Sequence, residues 1–310
     1  MKNILVTGGL GFIGSNFIEY IYHKYDYNIF NIDSLTYAAN INNISGEINE
    51  SERYNLLIDD INNTHAIKSL VKNREINYIV NFAAESHVDN SINNSKPFID
   101  TNINGTHSLL SLLHDCPTIE RYLQVSTDEV YGSLKEGDDP FTEQTPIQSN
   151  SPYSASKASA DLLCRSFYET FKYPILITRC SNNYGANQHE EKLIPLMIKK
   201  AKAGEKLPVY GDGRNIRDWI HVKDHCSGID VVLHNGKIGE VYNIGGKNEV
   251  RNIDIVKTIL KLLNKDDSQI EFVKDRLGHD WRYAINNSKI QNELGWQPLI
   301  NFKEGLNQLL

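Results

Sequence analysis

Apolar residues in this chain come in short runs separated by longer stretches of helical period. The runs are Asn3–Thr7, Ile29–Asp33, Tyr54–Ile58, Tyr78–Phe82, Tyr122–Ser126 and Leu176–Arg179; between them lie Phe12–Tyr25, Thr64–Asn73, Pro97–Leu113 and Tyr153–Phe171. Continuous apolar runs too short for a helix suit strands buried on both faces. Their alternation with helices predicts an α/β fold: a Rossmann-type, doubly wound parallel sheet with helices on both sides. After Arg179 the rhythm breaks. Asn182-Asn183-Tyr184-Gly185 reads as a loop, Lys192–Ala203 as a helix and Pro208–Gly211 as a short extended piece. Returns to the sheet are expected at Asp218–Val222 and Val241–Ile244, and helices at Asn252–Asn264 and within Ser288–Leu310. Two interleaved lobes follow. Residues 1–180, with about 216–246 returning to the sheet, form the Rossmann domain; residues 181–215 and 247–310 form a smaller mixed α/β lobe that closes over a ligand.

In such sheets ligands bind outside the carboxyl ends of the strands, and the unusual residues fall there. The first run is followed at once by Gly8-Gly9-Leu10-Gly11-Phe12-Ile13-Gly14 and a helix. A strand, a glycine turn and a helix N-terminus offer backbone N–H groups and a positive dipole end to a pyrophosphate. The spacing Gly8-x-x-Gly11-x-x-Gly14 is a variant of the dinucleotide fingerprint. The second run ends in Asp33, placed to bond the adenosine ribose hydroxyls and to repel a 2′-phosphate, so NAD is expected rather than NADP. Ala83-Ala84-Glu85-Ser86-His87 follow the fourth run and Thr127-Asp128-Glu129 the fifth.

Tyr153 and Lys157 stand four apart and share one helix face. A phenol with an ordinary pKa near 10 ionises more easily beside a fixed cation and then serves as a base near neutrality. Asp128 and Glu129 add two more proton carriers, one to accept while the other donates. Neighbouring strand residues point to opposite faces, so both acids reach one pocket only if the strand has ended at Thr127. Together these groups are what a site needs if it must both move a hydride and expel water.

Composition narrows the field. The chain has 310 residues and a net charge of −7, with a mean hydropathy of −0.43. That length holds one large domain or two modest ones. The mild, dispersed acidity recommends neither nucleic acid nor an anionic membrane surface, and no apolar run approaches the ~20 residues that span a bilayer. The N-terminus does not read as a signal peptide, so a cytoplasmic protein is expected. Four scattered cysteines (Cys116, Cys164, Cys180, Cys226) without a C-x-x-C read as reduced thiols. His221 and His225 have metal-pair spacing but suggest no third ligand, so no metal is expected.

Thr7-Gly8-Gly9-x-Gly11-Phe12-Ile13-Gly14 with Tyr153-x-x-x-Lys157 resembles the extended short-chain dehydrogenase/reductase superfamily, which acts largely on nucleotide sugars. Within it, Ser126-Thr127-Asp128-Glu129-Val130-Tyr131-Gly132 is similar to the signature of the dTDP-glucose 4,6-dehydratase family; relatives that only epimerise or decarboxylate generally lack the Asp-Glu pair. The likeness extends through Asp33–Ala38, Ala83–Val88, Ser151–Lys157, Cys180–Gly185, Lys192–Pro195, Ile216–Trp219, Tyr242–Gly246 and Gly278–Ile285, essentially the whole chain.

The resemblance implies a reaction on dTDP-glucose. Tyr153 removes the proton of the sugar 4-hydroxyl while a hydride passes from C4 to NAD. Lys157 holds the ribose hydroxyls and keeps the phenol acidic, and Thr127 bonds the 4-oxygen. Glu129 takes the C5 proton, Asp128 protonates the departing 6-hydroxyl, and the hydride returns to C6. By the same resemblance the cofactor meets Gly8, Gly11, Phe12, Ile13, Gly14, Asp33, Ser34, Leu35, Thr36, Asp60, Ile61, Phe82, Ala83, Ala84, Ser86, Thr101 and Asn183, besides Tyr153 and Lys157. The nucleotide sugar meets Ser86, Thr127, Asn182, Glu191, Lys192, Leu193, Pro208, Tyr210, Arg217, Asn252, Arg276, His279 and Tyr283. Arg217 and Arg276 suit a diphosphate because guanidinium offers paired donors and stays charged.

The chain departs from the family pattern at Ala186, Glu190 and Leu277, where proline is usual, and at Ala39, where glycine is usual; it also ends short of a C-terminal helix that many relatives carry. Apolar residues on more than one face of the Pro97–Leu113 and Tyr153–Phe171 helices suit a homodimer, as in the family. Deoxysugar assembly, rhamnose included, for surface polysaccharide is the family's usual setting. Two rivals stay open: a nucleotide-sugar 4-epimerase or decarboxylase with the same NAD site, and a non-catalytic NAD-binding regulator.

Overall fold

A computed structural model describes all of residues 1–310. Its strands, in chain order, are β1 (Asn3–Thr7), β2 (Asn28–Asp33), β3 (Tyr54–Ile58), β4 (Tyr78–Asn81), β5 (Arg121–Thr127), β6 (Ile175–Cys180), β7 (Asn182–Tyr184), β8 (Leu207–Tyr210), β9 (Ile216–His221), β10 (Val241–Ile244), β11 (Glu249–Arg251) and β12 (Ile270–Val273). Seven of them make one wholly parallel sheet in the order β10-β6-β5-β4-β1-β2-β3. The chain winds outward from β1 to β3, then turns back past β4. The order therefore reverses between β1 and β4, which opens a crevice at their carboxyl ends.

The central strands are buried on both faces, which is why they read as unbroken apolar runs. Ile4, Val6, Leu123 and Leu176 pack with the helices Phe12–Lys24 and Val222–Asn235 on one side. Leu5, Ile79, Tyr122 and Ile177 pack with Thr64–Asn73, Thr106–Asp115 and Pro152–Phe171 on the other. No helix is long and apolar enough to cross a membrane.

A smaller lobe carries a three-stranded sheet, β11-β9-β7, and a parallel pair, β12-β8. The run Asp218–Val222, expected in the main sheet, lies instead largely in β9 of this small sheet. The reason is visible in its side chains: Trp219 joins the small-lobe core with Tyr184 and Phe302, whereas Ile220 joins the core under the main sheet. A strand between two cores reads as apolar as one inside a doubly covered sheet. The stretch Pro97–Leu113 is also not one α-helix. It begins as a turn at Lys96–Phe98, widens to a π-helical segment at Ile99–Gly105 and becomes α-helical at Thr106–Asp115. There the buried Asn102 accepts from the Glu85 N–H (2.9 Å) and donates to the Glu85 carbonyl (3.0 Å) and to Ser156 Oγ (2.8 Å). It thereby ties the loop after β4 to the helix bearing Tyr153 and Lys157.

Candidate active site

The crevice is a cavity of about 310 Å³ whose wall runs from the glycine turn to Lys192. Gly8, at φ 69°, is pressed so closely on the loop after β4 that a Cβ there would lie 2.7 Å from the Ala83 nitrogen; one on Gly14 would lie 2.3 Å from the Gly8 oxygen. The helix Phe12–Lys24 begins without a side-chain cap and without an acid in its first turn, so its leading N–H groups are left for an anion. Asp33 sits at the end of β2 and accepts from the Leu10 and Leu35 N–H groups, both at 2.9 Å. Burial raises its pKa and these two donors oppose the rise. Ser34, Thr36, Asp60, Ile61, Phe82, Ala83, Ala84, Ser86, Thr101 and Asn183 line the same wall as Gly11, Phe12 and Ile13. Ser126 Oγ, Asp128 Oδ2 and Asn182 Oδ1 are buried on this wall with no partner in the chain. A glycine cradle, an uncapped helix start and unpaired polar atoms fit a dinucleotide and its substrate. Leu35 is the exception among the expected cofactor residues. At φ 51° its side chain stands 45% exposed and off the wall; only its N–H serves, by holding Asp33.

The acid pair is placed by the end of β5. The strand stops at Thr127, and Asp128–Tyr131 form a 3-10 turn. Thr127 Oγ1 accepts from the Glu129 N–H and donates to Asp128 Oδ1, each at 3.3 Å. Freed from strand alternation, both carboxyls line the cavity together with Tyr153 and Lys157. A Ser151–Ser154 capping box starts the Pro152–Phe171 helix, and the Tyr153 N–H donates to Ser91 Oγ at 3.2 Å. Burial, reinforced by Glu129 and then Asp218, lifts the Asp128 pKa well above the carboxylate range. Burial raises Glu129 as well, but Arg217 opposes it, with Lys192 and Arg276 also holding it down. The two acids thus differ: Asp128 is pushed further toward the neutral form than Glu129.

The Lys157 Nζ donates to the Val125 carbonyl at 2.8 Å. Burial and the nearby Glu129 push the Tyr153 pKa well up, and burial lowers that of Lys157.

The small-lobe residues form a second group. The Arg217 guanidinium lies 4.4 Å from the Tyr283 ring centre and donates to the Asp280 carbonyl at 2.9 Å, while the Tyr283 hydroxyl donates to the Asp280 carboxylate. Arg276 pairs with Asp89 (2.6 and 3.1 Å) and lies 5.4 Å from the Tyr210 ring, against which His279 packs edge-on. Glu191 and Lys192 line the cavity itself; Lys192 Nζ donates to the Ser86 carbonyl at 3.1 Å. Leu193, Pro208, Tyr210, Arg217, Asn252, Arg276, His279 and Tyr283 lie off the wall of the cavity. Asn252 Oδ1 is buried and unpaired. The two histidines at metal-pair spacing are otherwise engaged. His221 Nδ1 accepts from the Lys223 N–H, and His225 Nδ1 meets Asn183 Oδ1 at 2.9 Å.

Residues 5–309 match the family model described as GDP-mannose 4,6 dehydratase. The dTDP-glucose 4,6-dehydratase of Xanthomonas campestris is 46% identical over 99% of this chain and 91% of its own length. The chain belongs to the dTDP-glucose 4,6-dehydratase family, within the extended short-chain dehydrogenase/reductase superfamily. A second relative, the low-salt glycan biosynthesis protein Agl12 of Haloferax volcanii, is 49% identical over 98% of this chain and 96% of that protein. Among solved structures, the family's Bacillus anthracis enzyme in complex with NAD superposes with a TM-score of 0.93 at 52% identity, covering 99% of this chain and 95% of that one.

Several wall residues were given no role from the sequence: Asp59, Glu85, Cys180, Ser181, Gln188 and His189. The rule that ligands gather at strand ends, applied to β6, points to Cys180 and Ser181. Gln188 and His189 lie in an irregular loop, where no periodicity marks a buried face.

Proposed function

We propose that this chain is an NAD-dependent hydro-lyase that converts dTDP-glucose to dTDP-4-keto-6-deoxyglucose. The observation that carries the proposal is the meeting of Asp128, Glu129, Tyr153 and Lys157 on one cavity wall with the glycine cradle. What NAD supplies when bound is a cationic two-electron acceptor, taking a hydride from C4 of the sugar and giving it back at C6. The protein supplies the proton traffic. Tyr153, buried and neutral, becomes the base for the 4-hydroxyl once a positive charge stands beside it, and Thr127 Oγ1 orients the 4-oxygen. With C4 a ketone the C5–H is acidic, and Glu129, the less perturbed of the two acids, takes that proton. Asp128, held protonated, gives its proton to the 6-hydroxyl, which leaves as water. C5 then regains a proton, which leaves the 4-keto-6-deoxy sugar. In this reading Arg217 and Arg276 hold the diphosphate, because guanidinium offers paired donors and stays charged, and Asn182, Glu191 and Lys192 serve the sugar side.

The finer setting is part of the same proposal: a cytoplasmic homodimer supplying deoxysugars, rhamnose among them, for surface polysaccharide. The half-exposed Ile99 and Leu162 on the helical face at residues 96–171 support a second copy there. Sedimentation of a monomer at micromolar concentration would remove that part.

The deciding experiment is incubation with dTDP-glucose in deuterated water, followed by mass spectrometry. The proposal expects loss of one water and one solvent deuterium at C5. An unchanged mass with inversion at C4 would instead make the chain an epimerase, and no change at all a regulator.

A further inference from the structure

The loop at residues 185–192 belongs to the small lobe, yet it is fastened to the helix that starts at the glycine turn. Asn16 Nδ2, on that helix, donates to the Ala186 carbonyl at 2.9 Å. Asn187 stands in the left-handed region at φ 67°, a conformation asparagine tolerates better than most residues. Its Nδ2 donates to Ser15 Oγ and to the Asn43 carbonyl, each at 3.2 Å, which uses both amide hydrogens. Asn43 in turn donates from Nδ2 to the Leu10 carbonyl inside the glycine turn, at 2.8 Å. Three asparagines thus form a continuous belt from the turn to the loop. None of the three lines the cavity, whereas Gln188, His189, Glu191 and Lys192, on the belted loop, do.

We infer that Asn16 and Asn187 are positioning residues that clamp one wall of the cofactor cleft shut and so set how slowly NAD leaves. The inference rests on the functional reading above, in which NAD is regenerated in every cycle and has no reason to exchange. With the belt fastened, the loop cannot swing away from the glycine turn without breaking three hydrogen bonds, one from Asn16 and two from Asn187. The belt touches none of the proton-carrying groups, so loosening it changes retention of the cofactor and leaves the chemistry of a loaded site alone. Asparagine is also suited to the task. Its amide donates twice from one atom, it accepts the left-handed backbone at residue 187, and at the surface it has no charge to be screened.

The test uses the full-length protein as purified. Asn187→Asp keeps the size and the tolerance of φ 67° but removes both donors; the double variant Asn16→Ala/Asn187→Asp removes all three bonds that fasten the loop. Bound dinucleotide is measured in the denatured extract, and its release rate is measured by trapping freed NAD with alcohol dehydrogenase and ethanol at 340 nm. Release should be about tenfold faster in the single variant and faster still in the double. Both should need added NAD after gel filtration, with kcat at saturating NAD unchanged. Release rates equal to that of the unaltered protein overturn the clamp. An unaltered protein that neither carries nor binds NAD overturns the functional reading instead, so the two failures are told apart.

Discussion

Replacing Asp128 with asparagine removes a proton donor while disturbing little else. The side chain is 1% exposed, its Oδ2 has no partner in the chain, and its Oδ1 accepts from Thr127, a bond the amide oxygen of asparagine can keep. No intramolecular hydrogen bond is lost, so the effect on rate reports the missing proton. A positioned general acid contributes about 10²–10⁴-fold, or ~3–5 kcal/mol of barrier. The first oxidation needs Tyr153 rather than Asp128 and should run at its normal rate. The elimination should slow by that factor. Stopped-flow absorbance at 340 nm should therefore show reduced cofactor accumulating to nearly one equivalent per site. In deuterated water the stalled ketone should still exchange its C5 proton through Glu129. The same substitution should stabilise the fold. Burial raises the folded-state pKa of Asp128 above its unfolded value, so the native state holds the extra proton and stability falls as pH rises from about 4 toward that raised value. The variant should melt higher than the parent at pH 7 and match it near pH 3. Turnover within threefold of the parent, or a stall without cofactor reduction, would refute the assignment of Asp128.

Four other outcomes follow from the same structure. Tyr153→Phe should never reduce NAD, whereas Glu129→Gln should reduce it and stall without C5 exchange, both read at 340 nm and by mass spectrometry. Gly14→Ala, which drives a Cβ to 2.3 Å from the Gly8 oxygen, should abolish NAD binding in calorimetry while the far-ultraviolet dichroism stays native. His225 is fully buried with Nε2 unpaired, and burial lowers its pKa from 6.5 to about 3. It stays neutral in the native state, so folding stability is lost as pH falls from about 6.5 toward 3, by ~2 kcal/mol at pH 5. Denaturant melts of His225→Gln should show a shallower loss over that interval.

The sequence reading and the structure agree best where one physical cause acts alone. β1, β2, β4, β5 and β6 are visible because strands buried on both faces are largely apolar, and the glycine turn is visible because Gly8 and Gly14 leave no room for a Cβ. The end of β5 at Thr127 was inferable from chemistry: two adjacent acids cannot share a pocket on a continuing strand. What failed to show is what depends on tertiary context. β9 was placed in the wrong sheet because Trp219 and Ile220 serve two different cores. β7, β11 and β12 are too short to display a period. The π-helical segment at Ile99–Gly105 leaves no mark in a pattern of spacings, since it is held by the bonds of Asn102. The engagement of Lys157 with the Val125 carbonyl likewise depends on packing that residue identity alone does not specify.

A label at the sugar carbon that is oxidised first tests most directly whether one site carries out all three steps. With dTDP-[4-²H]glucose as substrate and unlabelled free NAD in excess, a single site that oxidises, dehydrates and reduces without release should carry the deuterium from C4 to C6 of the same product molecule. Deuterium found in the free cofactor pool, or a C6 methyl without label, would contradict it.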